Sequence, residues 1–366
     1  MTELRQRAGE NTYAEILSEP QIWHECLRTL DATGELGRLL GLIPTDKERI
    51  FVGCGSSFYL ALTAAATWSL LTRENARAVP ASEVLLFPGL IPDGSSAILI
   101  SRSGHTSEII RAGDYFRRQS EMAPVAITCG RGSPIEEIAA QTIRLPQADE
   151  KSTVMTRSFT SMLLTLQMLA AERGGQSAFA TGIRNLSSEM SPKIREIDKT
   201  ARRIAESHSF EDYVFLGQGP FYGIAQEAML KVTEMSCSYA QCFHTLEFRH
   251  GPKAIVSSKT LVTFFLSETG LDEEVSVLRE IKDLSATTLV VTNEASTAVR
   301  ESADYLIELS LRAPEAARAA AFVVPGQLLG LHIGIRKGFD PDHPRHLSRV
   351  VTLEGSKDGD SRRGAA

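Results

Sequence analysis

Apolar residues in this chain fall into short unbroken runs, separated by longer segments with helical spacing. Arg49–Gly53 is a short apolar run that enters a Gly-rich turn, and Ala97–Ile100 and Pro124–Cys129 are two more. Helical segments follow each of them: Ser57–Thr72, Ala-rich and apolar; Thr106–Gln119, with a polar face; and the short Ser133–Ala140. Strands alternating with helices in this way predict a parallel sheet covered on both faces. Residues 12–32 read as an amphipathic helical region broken at Pro20, and Thr156–Ala171 as a further helix. Ile183–His208 is long, charged and free of Gly, which predicts helical structure joining two halves. Within it Ser191-Pro192 has the form of a cap and a first-turn proline, so a helix is expected to start there.

The alternation then returns. Strands are expected at Tyr213–Leu216, Leu261–Leu266, Thr288–Val291 and Tyr305–Leu309, and helices at Tyr222–Ser236, Asp272–Ile281, Thr297–Ser302 and Ala317–Gly334. Periodicity fades after Lys337, and Gly355–Ala366 is polar enough to be expected to fray. The second series matches the first. Phe51-Val52-Gly53-Cys54-Gly55 pairs with Phe215-Leu216-Gly217-Gln218-Gly219, Ser101-Arg102-Ser103-Gly104 and Glu108 with Ser267-Glu268-Thr269-Gly270 and Glu274, and Val125–Cys129 with Leu289–Asn293. The offsets are 164, 166 and 164 residues. Three matches in order at nearly one offset predict a duplicated domain. The expected fold is α/β: two tandem flavodoxin-like domains, over residues 1–195 and 196–366, each a parallel sheet with helices on both faces.

Bulk properties narrow the function. A length of 366 residues suits two domains, and 43% hydrophobic content suffices for two cores. A net charge of −6 argues against a nucleic-acid footprint, which needs a concentrated basic surface. An anionic ligand is still compatible, because backbone amides hold a phosphate without net positive charge. The five cysteines have no CxxC spacing, so neither a disulfide framework nor a zinc site is expected, and reduced thiols suit a cytoplasmic location. The first 30 residues carry charge throughout and no apolar run approaches about 18 residues, so neither a secretory leader nor a membrane span is expected.

The chemistry concentrates in three places. The turns Gly53-Cys54-Gly55-Ser56-Ser57 and Ser101-Arg102-Ser103-Gly104-His105-Thr106 set small hydroxyl residues where a strand's carboxyl end meets a helix start. Free amides, the helix dipole and the hydroxyls there favour an anion, and ligands of open α/β sheets gather at this edge. Helix capping alone explains one such turn; two in one half-domain point to a phosphate cradle. The matching turns of the second half lack these hydroxyls, and a carboxylate at Glu268 would repel a phosphate, so one phosphate site per chain is expected. Neither Gly turn continues as GxGxxG, so no dinucleotide cofactor is expected, and no metal or other cofactor is implied.

In the second half, Glu227, Lys231 and Glu234 share one face of the helix Tyr222–Ser236. A salt-bridged surface stripe has the same spacing. The rest of this helix is apolar nearly all round, however, which favours a charged stripe facing a cleft, where a carboxylate beside a cation can move a proton. His250, in Glu247-Phe248-Arg249-His250-Gly251-Pro252-Lys253, sits before a Gly-Pro turn that would pin its ring, and is a candidate for proton transfer at a sugar ring oxygen.

Together these residues resemble the isomerase half of glutamine–fructose-6-phosphate transaminase, a tandem pair of sugar isomerase (SIS) domains. The resemblance runs from Glu15-Ile16-Leu17-Ser18-Glu19-Pro20 to Val351-Thr352-Leu353-Glu354, and is most specific at Ser101–Thr106, Glu227–Ser236, Arg249–Pro252 and Pro344–Arg349. It implies that Ser56, Ser57, Ser101, Ser103 and Thr106 hold a sugar phosphate, with Arg102 lining the site where the family has Gln. It implies Glu234 as the base that moves a proton between C1 and C2, Glu227 and Lys231 as its neighbours, and His250 as the ring-opening group, supplied across a homodimer interface. Two departures stand out. The sequence starts Met1-Thr2-Glu3 without the glutaminase and its nucleophilic Cys, so it is not expected to liberate ammonia from glutamine. Arg349 replaces the family's Schiff-base lysine, and arginine is a poor imine former; Lys337 or Lys253 could substitute only from other positions, while Arg349 could clamp an anion or a hydroxyl. Arg349 and the wording Phe248-Arg249-His250-Gly251-Pro252-Lys253 look closer to the stand-alone relatives, the amino-sugar-phosphate deaminase/isomerases and the fructosamine-phosphate deglycases, which need no glutaminase. The expected protein is a hexose- or amino-sugar-phosphate isomerase or deaminase with neither membrane nor nucleic-acid partner; deglycation and non-catalytic sensing of a sugar phosphate are the alternatives.

Overall fold

The structure, a computed structural model, describes residues 8–119 and 123–352. Gly355–Ala366, and the Leu353-Glu354 end of the resemblance, lie outside the described residues. Helices α1 (Glu10–Leu17), α2 (Glu19–Thr33) and α3 (Glu35–Leu40) lead into the first half. There β1 (Arg49–Gly53), α4 (Ser56–Thr72), β2 (Ala76–Pro80), α5 (Ala81–Leu86), β3 (Ser96–Ile100), α6 (Ser107–Gln119), β4 (Val125–Thr128), α7 (Ile135–Ile138) and β5 (Gln141–Arg144) alternate. Helices α8 (Arg157–Arg173), α9 (Ser177–Met190) and α10 (Ile194–Ser207) follow. The second half runs β6 (Asp212–Gly217), α11 (Pro220–Ser236), β7 (Tyr239–His244), β8 (Thr260–Phe265), α12 (Leu271–Asp283), β9 (Thr287–Thr292), α13 (Thr297–Ser302), β10 (Tyr305–Glu308) and α14 (Ala319–Arg336).

Each half holds a five-stranded, wholly parallel sheet. The orders are β2-β1-β3-β4-β5 and β10-β9-β8-β6-β7. Counted within its own half, the second order is also 2-1-3-4-5, the flavodoxin-like order, whose switch point lies between the first and third strands. The two first turns match in backbone as well. Gly55 has φ 55°, ψ −128° and Gly219 φ 52°, ψ −128°, a conformation open to glycine but not to a residue with a Cβ, and each precedes a 17-residue helix.

Helices α4, α8, α11 and α14 pack between the sheets. Helix α11 lies against both α14 and α4, where Thr63 of α4 donates to the Pro220 carbonyl at 2.9 Å. This contact sets the start of α4, at the first cradle turn, beside the charged face of α11. By length and composition, Glu315–Arg336 could span a membrane, a candidate that the search for unbroken apolar runs did not reveal; 94% of its most apolar window is buried inside the fold, where it serves as a core helix.

Several expectations shift. The break in the N-terminal helical region falls at Ser18, with Pro20 in the first turn of α2, where its missing N–H costs nothing. The joining segment is two helices, α9 on α2 and α8, and α10 on α14. Ser191-Pro192-Lys193 forms the turn between them rather than a helix start, the last N–H of that turn bonding back to the Met190 carbonyl.

Candidate active site

A cleft of about 210 Å³ opens at the carboxyl ends of β1 and β3, the switch point of the first sheet. Its walls include Ser56 and Ser57 from the start of α4, and Ser101, Arg102, Ser103 and Thr106 from the turn between β3 and α6. Glu234 of α11 reaches it from the second half, and Ser348, Arg349 and Val351 from the C-terminal segment. One cleft thus gathers eight residues singled out in the sequence. It also contains residues that pattern did not reveal: Cys54, Glu108, Thr153, Met155 and Ser348. Glu108 had a signal in its match with Glu274, Cys54 in the first Gly turn and Ser348 in the 344–349 motif; Thr153 and Met155 had none. Burial pushes the Cys54 thiol up to about 12, helped by the nearby Glu108 carboxylate, so it lines the cleft as a neutral thiol.

The cradle is partly self-braced. Ser101 Oγ accepts from Gly104 N at 3.1 Å and lies 3.4 Å from Thr106 Oγ1, and Ser103 Oγ accepts from His105 N at 3.1 Å. These bonds hold the turn open over the start of α6, and each hydroxyl keeps further hydrogen-bonding capacity for a ligand oxygen.

The charged face of α11 lies against the turn that carries Ser56. Lys231, wholly buried, donates to Glu234 Oε2 at 2.5 Å and to Ser56 Oγ at 3.2 Å, and its Nζ is 3.2 Å from Glu227 Oε1. One cation therefore joins the α11 carboxylates to the first cradle turn. Burial opposes charge on Lys231, but Glu227 and Glu234 outweigh it and hold the ammonium above its ordinary value. The three residues differ in access. Glu227 and Lys231 have no exposed side-chain surface, whereas Glu234 keeps 18% and faces the cleft. Burial pushes Glu227 up to about 8, against the pull of Lys231, so near neutrality it keeps its proton, and Glu234 makes the shorter contact with the lysine.

The sign of this shift sets a test. Between about pH 4.5 and 8 the folded state holds the Glu227 proton more tightly than the unfolded chain. Its contribution to stability is therefore complete below the ordinary carboxylate range and is lost as pH rises through about 8. Glu227→Gln has no such titration. Urea unfolding at about pH 5, 7 and 9 should show the stability of wild type relative to Glu227→Gln falling with pH; parallel curves would contradict the buried, protonated assignment.

His250 is not part of this cleft within one chain. It is exposed, in a turn pinned from below by the fully buried Phe248 and from the side by Arg249 and Lys253, which both bridge to Glu280 at 2.7 and 3.4 Å. Lys253 is committed there, and Lys337 donates to Ser238 Oγ at 2.6 Å. Neither lysine lines the cleft, and no other lysine among the described residues does so. Arg349 stands at the cleft with its side chain bridged to Asp149. Arg102 lines the cleft, as the resemblance implies, and its guanidinium donates to the Thr153, Val154 and Arg349 carbonyls and to Glu150.

The matching turn of the second half is filled by the chain itself. Glu268 N and Thr269 N donate to Glu315 Oε1 at 2.5 and 3.1 Å, and Thr269 Oγ1 donates to Glu315 Oε2 at 2.6 Å. The Glu268 carboxylate, expected to repel a phosphate, instead pairs with Arg318. An internal carboxylate thus takes the amides that an anion would use, and the free cradle is that of the first half.

Two parallel sheets of this order, with a hydroxyl-lined turn and the Glu234 carboxylate meeting at one cleft, match the arrangement of phosphosugar-isomerase relatives. The chain belongs to the SIS-domain family, whose pattern matches residues 43–172 and 209–332. It is 28% identical over 358 residues to a glutamine–fructose-6-phosphate aminotransferase (isomerizing) of Bacteroides thetaiotaomicron, covering 93% of this chain and 58% of the relative. It is 26% identical to the same enzyme of Methanothermobacter thermautotrophicus, covering 91% and 54%. The chain thus spans little more than half the length of these curated relatives, and is homologous to their isomerase half. Among solved structures, a glucosamine-6-phosphate deaminase of Thermotoga maritima matches with TM-score 0.79 and 29% identity, over 94% of this chain and 100% of that one. A tagatose-6-phosphate ketose/aldose isomerase of Escherichia coli shares the fold, with TM-score 0.82 at 22% identity over 95% and 97%.

Proposed function

We propose that this protein moves a proton between C1 and C2 of a hexose phosphate, with an amino-sugar phosphate as the preferred substrate. The observation that carries the reading is the single buried cation, Lys231, that ties Glu234 to Ser56 and so sets a base beside a phosphate cradle. Ser56, Ser57, Ser101, Ser103 and Thr106 hold the phosphate, and Glu234 takes the C2 proton of the open-chain aldose and returns it at C1. On an amino sugar, this leaves an imine at C2 that water hydrolyses to ketose and ammonia. Lys231 is buried and held charged, and no lysine lines the cleft among the described residues, so the reaction runs without an imine to the enzyme. The match along nearly its whole length to a glucosamine-6-phosphate deaminase of Thermotoga maritima supports the deaminating direction.

His250 opens the sugar ring in the cleft of a second copy, which makes the working unit a homodimer in the cytoplasm, its two domains meeting near residue 195. The test is incubation with glucosamine 6-phosphate, galactosamine 6-phosphate and fructose 6-phosphate, assaying ammonia and ketose. Turnover of at least one is expected. Tight phosphosugar binding without turnover would overturn the enzyme reading in favour of a sensor.

A further inference from the structure

The C-terminal segment forms one wall of the cleft although it lies more than a hundred residues from any other wall segment of the chain. Asp342 starts it: its carboxylate accepts from Thr12 N at 2.7 Å and Asn11 N at 3.0 Å, and its carbonyl accepts from Thr153 N at 3.2 Å. From there residues 344–352 cross the cleft, with Ser348, Arg349 and Val351 lining it. This stretch has no regular secondary structure, so something other than a backbone ladder must hold it.

Three ties reach it from the first half. Ser107 N donates to the Val351 carbonyl at 3.3 Å, a long bond. Arg349 bridges to Asp149, but both side chains are about two-fifths exposed, where such a pair is worth little. The third tie is buried. Arg102 Nη2 donates to the Arg349 carbonyl at 3.2 Å and to the Thr153 carbonyl at 2.8 Å, while Nη1 donates to the Val154 carbonyl at 3.1 Å and to Glu150 Oε2 at 3.3 Å. Its side chain is 6% exposed and that of Glu150 fully buried. Glu150 is itself fixed by Thr156 N at 2.6 Å and Ser158 Oγ at 2.5 Å.

We propose that Arg102 is the positioning residue that latches the C-terminal segment over the cleft, and that it acts through this wall rather than on the phosphate. A planar guanidinium presents several donors in a fixed fork, which suits it to join the 153–154 wall and the 349 wall at one point. A neutral residue there would leave Glu150 as a buried charge without its partner. The latch also sits in the cradle turn, between Ser101 and Ser103, so the wall is aligned with the phosphate-binding end of the cleft.

The test uses hydrogen exchange of the substrate-free protein, read by mass spectrometry on peptides covering 344–352. Arg102→Lys keeps a charge for Glu150 but cannot fork to three carbonyls. It should raise exchange in those peptides by about tenfold or more, with α11 and the two sheets unchanged. Should Arg102→Lys destabilise the whole fold, the double variant Arg102→Gln/Glu150→Gln, which buries no charge, gives the same readout and is decisive in its place. Unchanged exchange of 344–352 in a folded variant overturns the latch. The kinetic consequence rests on the proposed function: KM for the phosphosugar should rise more than kcat falls, while affinity for inorganic phosphate stays near wild type. Equal losses of phosphosugar and inorganic phosphate affinity would instead make Arg102 a phosphate ligand and overturn the proposal. Because the exchange readout involves no substrate, the latch can stand where the assigned reaction fails, and the reverse.

Discussion

Glu234→Gln should lower turnover by a factor of about 10²–10⁴ while phosphosugar affinity stays nearly intact. The substitution keeps the shape of the side chain and removes its ability to take a proton. Affinity is expected to survive because the proposed phosphate contacts come from α4 and the 101–106 turn, not from α11. Lys231 still has Ser56 as a partner and a carboxyl group in Glu227, so the fold should tolerate the change. Retained turnover would refute Glu234 as the base. Loss of phosphosugar affinity together with turnover would show that its role is structural. Calorimetric titration with a phosphosugar, run beside steady-state kinetics, separates these outcomes.

His250→Ala should lower turnover by a similar factor, although the residue lies outside the cleft of its own chain. Its turn is anchored by Phe248 beneath and by the Arg249 and Lys253 bridges to Glu280, so an alanine at an exposed position leaves the fold unchanged. An exposed histidine on a rigid turn acts only on something brought to it, and in the proposed homodimer a second copy brings a cleft. Mixing unfolded Glu234→Gln and His250→Ala chains and refolding them together should therefore restore about a quarter of wild-type activity, because half the dimers are mixed and each carries one intact site. No recovery from the mixture would place both residues in one chain's site, and full activity of His250→Ala alone would show that His250 has no part in the reaction.

The two architectures were legible because β1, β3, β4, β6, β8 and β9 are buried along nearly their whole length and read as unbroken apolar runs. The strands that pattern did not reveal are β2, β5 and β7, all at sheet edges. Each is half-exposed and mixed in composition, as in Gln141-Thr142-Ile143-Arg144, so no apolar run marks it. The cradle was legible because its hydroxyls are neighbours in sequence. The charged face of α11 was legible because helical geometry turns spacing into position.

What escaped the sequence depends on contacts between distant segments. Arg102 sits in a turn rich in small hydroxyl residues, and its type alone suggests an anion ligand; its bond to the Arg349 carbonyl spans 247 residues and no local pattern encodes it. The same holds for Glu315, whose carboxylate fills the second turn from 46 and 47 residues away. Glu268 was the visible carboxylate, but Arg318 draws it aside. Access is also a property of the fold alone: three charged residues on one face of α11 look equivalent in sequence, and only packing leaves Glu234 at the cleft while sealing Glu227 and Lys231.

The central claim is that a carboxylate of the second half moves a proton on a sugar whose phosphate is held by the first half. Proton exchange reads this directly, whatever the final product. Wild-type protein incubated with glucosamine 6-phosphate or fructose 6-phosphate in deuterated water, followed by NMR, should place deuterium at C1 or C2, and Glu234→Gln should not. A wild-type protein that binds either compound without deuterium appearing at those carbons would contradict the account.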